Sequence, residues 1–583
     1  MKSVNRRLPS TADALDSPTR VLIDTQRIAQ FALLFIVFVL IGGPLLVLLR
    51  TGFLPDGAVP LASPDVTLDQ YKSVLSAHGT IGLLRNTFIY STGSVLMGVL
   101  IATALAWMTE RTDVPYRVTI RVLMFAWMTV PPLVIGFGWI LLINPSNGAI
   151  NVLVKWLLGI ELSPFTPFRM ESMIFINGLA VVPTAYVMIS GLFRNMDPKL
   201  EDAAFALGVS RLTIVRRITA PLLTPGIVST GIFLTMATLQ SFDLPLILGL
   251  TAQVPVLSTR IYTLSSAESG ISNYGLAAAY GTLFLILAAL LMWIYFRTTR
   301  MSERYWVVSG KAFRPRRLSL GLWRYPAFGS VIIYFILMLL PILILLWTSL
   351  FPFYRVPSFA DIGQISLDAY SRVLETSMVK RALVNTAELF VFSATITVLI
   401  AGLVSWFSVR AKGWAGKTLD LMSFSPMAIP PIVMGIAILV IYLRTPLYGT
   451  IWVLVIGYVT VYLPFATRTI SSGLAQIHKE LEDAANVSGA NWVTSLRRII
   501  FPLLLQQIVN AWLWIATHAA RDLSFALLLM TTSNVVLASA IWLTWSYPDL
   551  PGASALSIML LIGLTAVAAP IQIIAARRIE RDG

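Results

Sequence analysis

Leu200–Pro221 reads LEDAAFALGVSRLTIVRRITAP, and Leu481–Pro502 reads LEDAANVSGANWVTSLRRIIFP. The spacing is the same in both. Leu-Glu-Asp-Ala-Ala leads to a glycine, Gly208 or Gly489. An Arg-Arg-Ile follows at Arg216–Ile218 or Arg497–Ile499, then a proline at Pro221 or Pro502. Each copy is a polar island in a chain of 583 residues that is 57% hydrophobic and only 12% charged. A soluble domain carries about 25% charged residues. The composition is that of an integral membrane protein with many spans. A polar island repeated between spans reads as a device used twice, most simply a pair of docking sites.

Working outward from the islands, apolar runs of roughly 20 residues, the length that crosses a bilayer, fall near 28–50, 86–108, 119–143, 172–192, 222–250 and 276–297. A second set falls near 326–350, 384–408, 419–443, 449–467, 503–530 and 556–576. The expected fold is all-α and membrane-embedded, with about 12 transmembrane helices in two sets of six. The run Phe31–Leu49 is too long for a cleaved signal peptide and shows no A-x-A-like site, so it reads as the first transmembrane helix. The division is a tail at 1–27, a first six-helix domain at 28–297, a basic linker at 298–325, a second six-helix domain at 326–578 and a tail at 579–583.

Basic residues set the orientation. With the N-terminus inside, nearly every cluster falls on the cytoplasmic side: Glu110–Arg121, both islands, the linker Arg297–Arg324, Arg410–Lys417 and Arg577–Gly583. Loop 351–383, with Arg355, Arg372, Lys380 and Arg381, is the main exception. The net charge of +15 is thus chiefly topogenic, and nucleic-acid binding is not expected. The chain has no cysteine, which excludes a disulfide framework and thiolate metal sites.

An even number of spans per half makes the halves parallel repeats about an axis along the membrane normal. Further matches support the duplication. Asn86-Thr87 matches Asn385-Thr386. Pro131-Pro132-Leu133-Val134-Ile135-Gly136 matches Pro430-Pro431-Ile432-Val433-Met434-Gly435, and these proline pairs break their helices, marking kinks for gating or for packing. Ala237-Thr238 and Asp243-Leu244 match Ala516-Thr517 and Asp522-Leu523. The first half has about 18 more residues than the second between its third span and its island, in the external loop Asn144–Glu171, with a short amphipathic helix expected around Ile150–Leu158. It reads as a plain length variation or as an asymmetric contact for an external partner.

Within the first island, Asp197-Pro198 is a good helix start, Gly208 sits where a helix ends in the left-handed region, and Ser210 can cap a second helix over Arg211–Thr219. The expectation is two short helices joined at a glycine elbow. Ala203-Ala204 leaves one side small, and Glu201-Asp202 offers acceptors to a surface lying against it. In the second copy His478-Lys479 replaces Asp197-Pro198, and Asn491 replaces Ser210 and can still cap.

Both islands resemble the EAA loop of binding-protein-dependent ABC importer permeases, with Asp202 or Asp483 standing in the acid position before the two alanines. The resemblance runs over both halves and implies the type I ABC importer permease fold. It implies that Glu201, Asp202, Ala203, Ala204 and Gly208, and likewise Glu482, Asp483, Ala484, Ala485 and Gly489, form coupling helices that dock in two ABC ATPase subunits. Those subunits would hold ATP and Mg, with no cofactor on this chain, and a periplasmic or extracellular solute-binding protein would deliver the cargo. The setting implied is the plasma (bacterial inner) membrane, with both termini cytoplasmic. The fused arrangement resembles ferric-iron-type permeases, whose relatives include fused thiamine, aminoethylphosphonate and sugar-phosphate permeases. Ser241-Phe242-Asp243-Leu244-Pro245, Arg521-Asp522-Leu523-Ser524 and Val536–Trp542 look like that group. Fe(III) is therefore one expected cargo.

Ionisable residues inside spans are costly and point to function. Asp243 falls within the fifth predicted span, and Arg521 and Asp522 occupy the matching region of the eleventh. Gln240 and His518 lie about one turn earlier. These five either line the pathway or satisfy helix ends and a kink before Pro245. Gly413-Trp414-Ala415-Gly416-Lys417-Thr418 resembles the end of a phosphate-binding loop. Its first glycine would fall on Ala411 and no strand is expected before it, so the required context is missing. Three histidines without a metal-ligand or nucleophile pattern give no catalytic site and no metal site. A secondary transporter of two six-helix halves, driven by an ion gradient, fits the topology equally but does not explain matched islands.

Overall fold

Two consecutive prolines decide where the third span of each half breaks. Pro131 and Pro430 each precede another proline, which drives them out of the helical region, to φ −65°, ψ 136° and φ −56°, ψ 135°. Pro132 and Pro431 then open new helices, at the position where a missing N–H leaves no helical bond unmade. Arg117–Trp127 and Pro132–Ile143 meet at 100°, and Trp414–Ala428 and Pro431–Tyr442 at 107°. The single spans expected at 119–143 and 419–443 are bent pairs instead.

The computed structural model describes residues 25–196, 199–266, 272–302, 318–410 and 413–581. Among these, 9 helices are long and apolar enough to cross a membrane, or up to 12 if each bent pair counts as one span. The expected all-helical membrane fold is observed. Spans 1 to 6 are Thr25–Thr51, His78–Arg111, the first bent pair, Met170–Arg194, Val215–Leu239 and Tyr274–Thr298. Spans 7 to 12 are Gly321–Ser349, Ser377–Arg410, the second bent pair, Ile451–Leu474, Trp492–Leu503 with Leu505–Arg521 (bent by 75°), and Leu550–Val567.

Spans 5 and 11 stop sooner than their apolar runs. Span 5 was expected to reach 250 and ends at Leu239; span 11 was expected to reach 530 and ends at Arg521. Asp243 consequently lies beyond span 5, at the start of the short helical segment that follows the break at 240–242. In the second half the cause is visible. Asp522 turns extended (φ −71°, ψ 131°) and its carboxylate caps the short helix Ser524–Leu528 through the Phe525 amide, at 3.1 Å. Hydropathy is blind to such a break because both sides of it are equally apolar. Each half then adds one further short helix, Leu257–Ser265 or Leu537–Ser546.

The halves are interlaced. Span 1 leaves its own half, and Leu33, Val37 and Ile41 share a core with Ala394, Leu463, Ile470 and Ile515 of the second half. Span 7 packs reciprocally on Pro132–Ile143 of the first. Leu257–Ser265 packs on Pro431–Tyr442. Leu537–Ser546 answers it, with Trp545 stacked on Phe137 at 3.9 Å. The inner pieces Pro132–Ile143 and Pro431–Tyr442 are buried almost all round, as their uniformly apolar sequences require.

The matched Asn-Thr pairs tie spans 2 and 8 to these crossing helices. Thr87 Oγ1 accepts from the Leu257 amide at 2.9 Å, and Thr386 Oγ1 from the Leu537 amide at 2.8 Å. Asn86 donates to the Pro255 carbonyl at 3.2 Å, and Asn385 to the Val535 carbonyl at 2.8 Å. The expected helix in the first half's extra loop is present as Ala149–Leu158, anchored by buried Asn151, which donates to the carbonyls of Ile143, Asn144 and Phe165.

Span 7 approaches Pro132–Ile143 so closely at Gly138 that a Cβ there would fall on the backbone of Pro341. Gly138→Val is expected to destabilise the folded chain by about 1–3 kcal/mol. Gly191→Val, where a Cβ meets nothing, is expected to be near neutral. Thermal unfolding of both variants in the same detergent checks this.

Candidate functional site

The first helix of each island is Lys199–Ala206 or Glu480–Val487. Each ends on its glycine in the left-handed region, at φ +79° for Gly208 and +83° for Gly489. The first copy closes with the amides of Gly208 and Val209 bonded to the carbonyls of Phe205 and Ala204, at 3.0 and 3.1 Å. In the second, the Ala490 amide reaches the Ala485 carbonyl at 3.0 Å. The expected caps form. The Thr213 amide donates to Ser210 Oγ at 3.4 Å, and the Thr494 amide to Asn491 Oδ1 at 2.8 Å. The proposed start at Asp197-Pro198 lies outside the described residues. Beyond the elbow, π-helical turns Val215–Thr219 and Leu496–Ile500 precede Pro221 and Pro502. A proline ring clashes with the carbonyl four residues back and cannot bond to it, and the wider turn accommodates this.

Glu201 and Glu482 do not face outward as the sequence led us to expect. Arg111, the last residue of span 2, donates from Nη1 to Glu201 Oε2 at 3.1 Å, and Thr219 donates to Glu201 Oε1 at 2.5 Å. Arg410, the last residue of span 8, donates from Nε to Glu482 Oε1 at 2.6 Å and from Nη2 to the Ile477 carbonyl at 2.8 Å. The Trp406 indole N–H completes that site, at 3.0 Å from Glu482 Oε2. A carboxylate in the membrane-proximal interior needs such partners. Sequence reading missed Arg111 and Arg410 because their link to the islands is a long-range contact; the signal was an arginine at the same point of two matched spans. The outward faces carry the remainder. Ala203, Ala484 and Asp483 are exposed, Asp202, Ala204 and Ala485 are half-buried, and Phe205, Leu207 and Val487 stand out in solvent.

The five intramembrane candidates gather at the seam between the halves. Gln240 donates from Nε2 to the Met427 carbonyl at 3.5 Å. Arg521 donates from Nη1 to the carbonyls of Met128 and Val130 at 2.6 and 3.3 Å. Met128 and Met427 are equivalent, each three residues before a proline pair, so each half's span 5 or 11 ends on the other half's broken span. Arg521 Nη2 also donates to His518 Nε2 at 2.8 Å. Arginine has no acceptor, so Nε2 is unprotonated and Nδ1 carries the hydrogen toward the Trp514 carbonyl, 2.8 Å away. Asp522 accepts from the Tyr458 hydroxyl at 2.9 Å. Asp243 is buried and interacts electrostatically with both Asp522 and Arg521. The seam thus holds two carboxylates and one guanidinium, with the guanidinium occupied by backbone carbonyls.

Tyr458, Tyr462, Trp514 and His518 form a continuous aromatic column beside Arg521, with the Tyr458–Tyr462 rings stacked at 5.7 Å and Trp514–His518 at 3.8 Å. Aligned on Pro183 and Pro464, the first half has Asn177 and Val181 where the second has Tyr458 and Tyr462, so this wall is one-sided. Gly413 begins the plain helix Trp414–Phe424, with no strand among the described residues. No group of three or more His, Asp or Glu among the described residues is placed to hold a metal ion.

A family model described as the binding-protein-dependent transport system inner membrane component matches the chain twice, over residues 94–300 and 393–581. The chain is similar to the ferric transport system permease protein FbpB of Actinobacillus pleuropneumoniae, 23% identical over 511 residues, which cover 84% of this chain and 68% of that protein. It is also similar to the Fe(3+)-transport system permease protein FbpB 2 of Haemophilus influenzae, 23% identical over 549 residues, 91% of this chain and 96% of that one. Among solved structures, a bacterial ABC transporter involved in the import of the acidic polysaccharide alginate matches 48% of this chain and 96% of its own, at 20% identity and TM-score 0.40. Two matches in one polypeptide, each containing one island, place the chain in the family of binding-protein-dependent transport system inner membrane components.

Proposed function

We propose that this chain is the permease subunit of an ATP-driven importer, supplying both halves of the translocation pore. Two ATPase subunits dock on the cytoplasmic side, one on each island, and hold the ATP and Mg. A solute-binding protein delivers cargo to the opposite face. Both termini are cytoplasmic in the bacterial inner membrane, and residues 28–297 and 326–578 are the two repeats. The observation that carries this reading is the pair of glycine elbows, alike in geometry, each turning small and apolar side chains outward. Among the described residues, Ala203, Leu207, Ala484 and Val487 remain exposed on those faces.

Fe(III) is the cargo we favour. The permeases FbpB and FbpB 2, to which the chain is similar, are named for ferric transport, and Asp243 and Asp522 offer the hard oxygen donors that such an ion prefers. Two carboxylates suit a passing ion better than a retained one, because conduction requires release as well as binding. Arg521 and Gln240 bridge the two halves there, donating to the carbonyls of Met128 and Met427.

The purified chain is expected to carry an ABC ATPase with it, and uptake of radioactive Fe(III) into cells is expected to stop when that ATPase is inactivated with the ion gradient intact. Uptake that continues on the gradient alone would show a secondary transporter. Gly208→Pro demands φ near −65° where the elbow needs +79°, and Asp202→Arg reverses charge on the docking helix. Each is expected to abolish uptake while the chain still inserts, as membrane fractionation reports. Arg521→Ala removes charged hydrogen bonds of about 1.5–3 kcal/mol each from the seam. Uptake is expected to fall at least about ten-fold, measured against unchanged chain abundance.

A further inference from the structure

We propose that Arg111 and Arg410 are positioning residues that weld each island to the end of span 2 or span 8, so that a push on one half's island reaches the other half's broken span. The proposal rests on the reading of the islands as motor docking sites. The two arginines are equivalent, standing at the same distance beyond Asn86-Thr87 and Asn385-Thr386. Each ends an unbroken helix of 34 residues, a stiff rod that crosses the whole membrane.

At one end of the rod is the weld. Arg111 and Glu201 are 2% and 22% exposed, and Arg410 and Glu482 are 13% and 8% exposed. Buried ion pairs resist separation because parting them leaves a desolvated charge without a partner. The Arg111 carbonyl also accepts from the Leu318 amide at 2.8 Å, which ties the returning linker to the same point. At the other end are the Thr87 and Thr386 caps on Leu257–Ser265 and Leu537–Ser546. Those helices pack on Pro431–Tyr442 and, through Trp545 and Phe137, on Pro132–Ile143. Island, rod, cap and crossing helix are in direct contact in both directions, so transmission is crossed: the first island acts on the second half's break, and the second island on the first half's. The second weld is the more fully bonded. Arg410 uses both Nε and Nη2, whereas Nε and Nη2 of Arg111 have no partner among the described residues.

The test uses the full chain with its ATPase in lipid nanodiscs. The chain has no cysteine, so cysteine pairs can be introduced and spin-labelled directly. Leu207→Cys with Tyr116→Cys reports the first weld, and Val487→Cys with Trp414→Cys the second, all at exposed positions. Each pair is expected to give one narrow distance distribution. Adding Arg111→Ala or Glu201→Ala is expected to at least double the width for the first pair, and Arg410→Ala or Glu482→Ala for the second. The reversed pair R111E with E201R is expected to restore much of the narrowness, which keeps the test informative where a single variant folds poorly. In proteoliposomes of the same chain and ATPase, Arg410→Ala should retain the ATPase and its hydrolysis while uptake per ATP falls at least ten-fold. A role confined to folding would lower uptake and hydrolysis together. Unchanged widths in well-inserted single variants would overturn the weld. Failure of the unmutated chain to retain any ATPase would instead overturn the docking reading beneath it.

Discussion

The structure depends on one constraint: inside a bilayer, every backbone N–H and C=O must find its partner within the protein. Two breaks at proline pairs, and two more at the ends of spans 5 and 11, place unpaired backbone at membrane depth. The molecule meets the requirement by interlacing. Span 1 covers the second half's broken span and span 7 the first half's, and the freed carbonyls of Met128 and Val130 are taken up by Arg521. Polar side chains at the seam are thus part of the solution to a backbone problem as well as candidates for contact with cargo.

The duplication is close in architecture and loose in chemistry. Caps, elbows, π turns and buried arginine–glutamate pairs recur at matched positions. The seam does not repeat in the same way. Aligned on Ala237-Thr238 and Ala516-Thr517, Arg521 stands where the first half has Phe242, and His518 where it has Leu239. The aromatic column also belongs to the second half alone. The seam therefore holds one carboxylate from each half, Asp243 and Asp522, but a guanidinium and a stacked aromatic surface from the second half only.

Much of this was legible along the chain. The number of spans, the parallel repeat, the elbow glycines and the Ser210 and Asn491 caps follow from local pattern, because hydropathy, helix capping and φ preference act over a few residues. Other features were not. The breaks just before Asp243 and at Asp522 lie inside apolar runs that read as single helices. The inward turn of Glu201 and Glu482 depends on arginines far away in sequence, and the role of the Asn-Thr pairs depends on helices that begin about 150 residues or more downstream.

By itself, then, the sequence determined that this is a two-fold repeated, many-span membrane protein with two polar elbows, since each of those properties is set by short-range chemistry. The tertiary structure decided which half each span serves, which acid of the Glu-Asp pair turns inward, and which residues meet at the seam. These are consequences of packing two interlaced halves around buried polar groups. The choice of partner for such a group is made by proximity in space, which no local periodicity encodes.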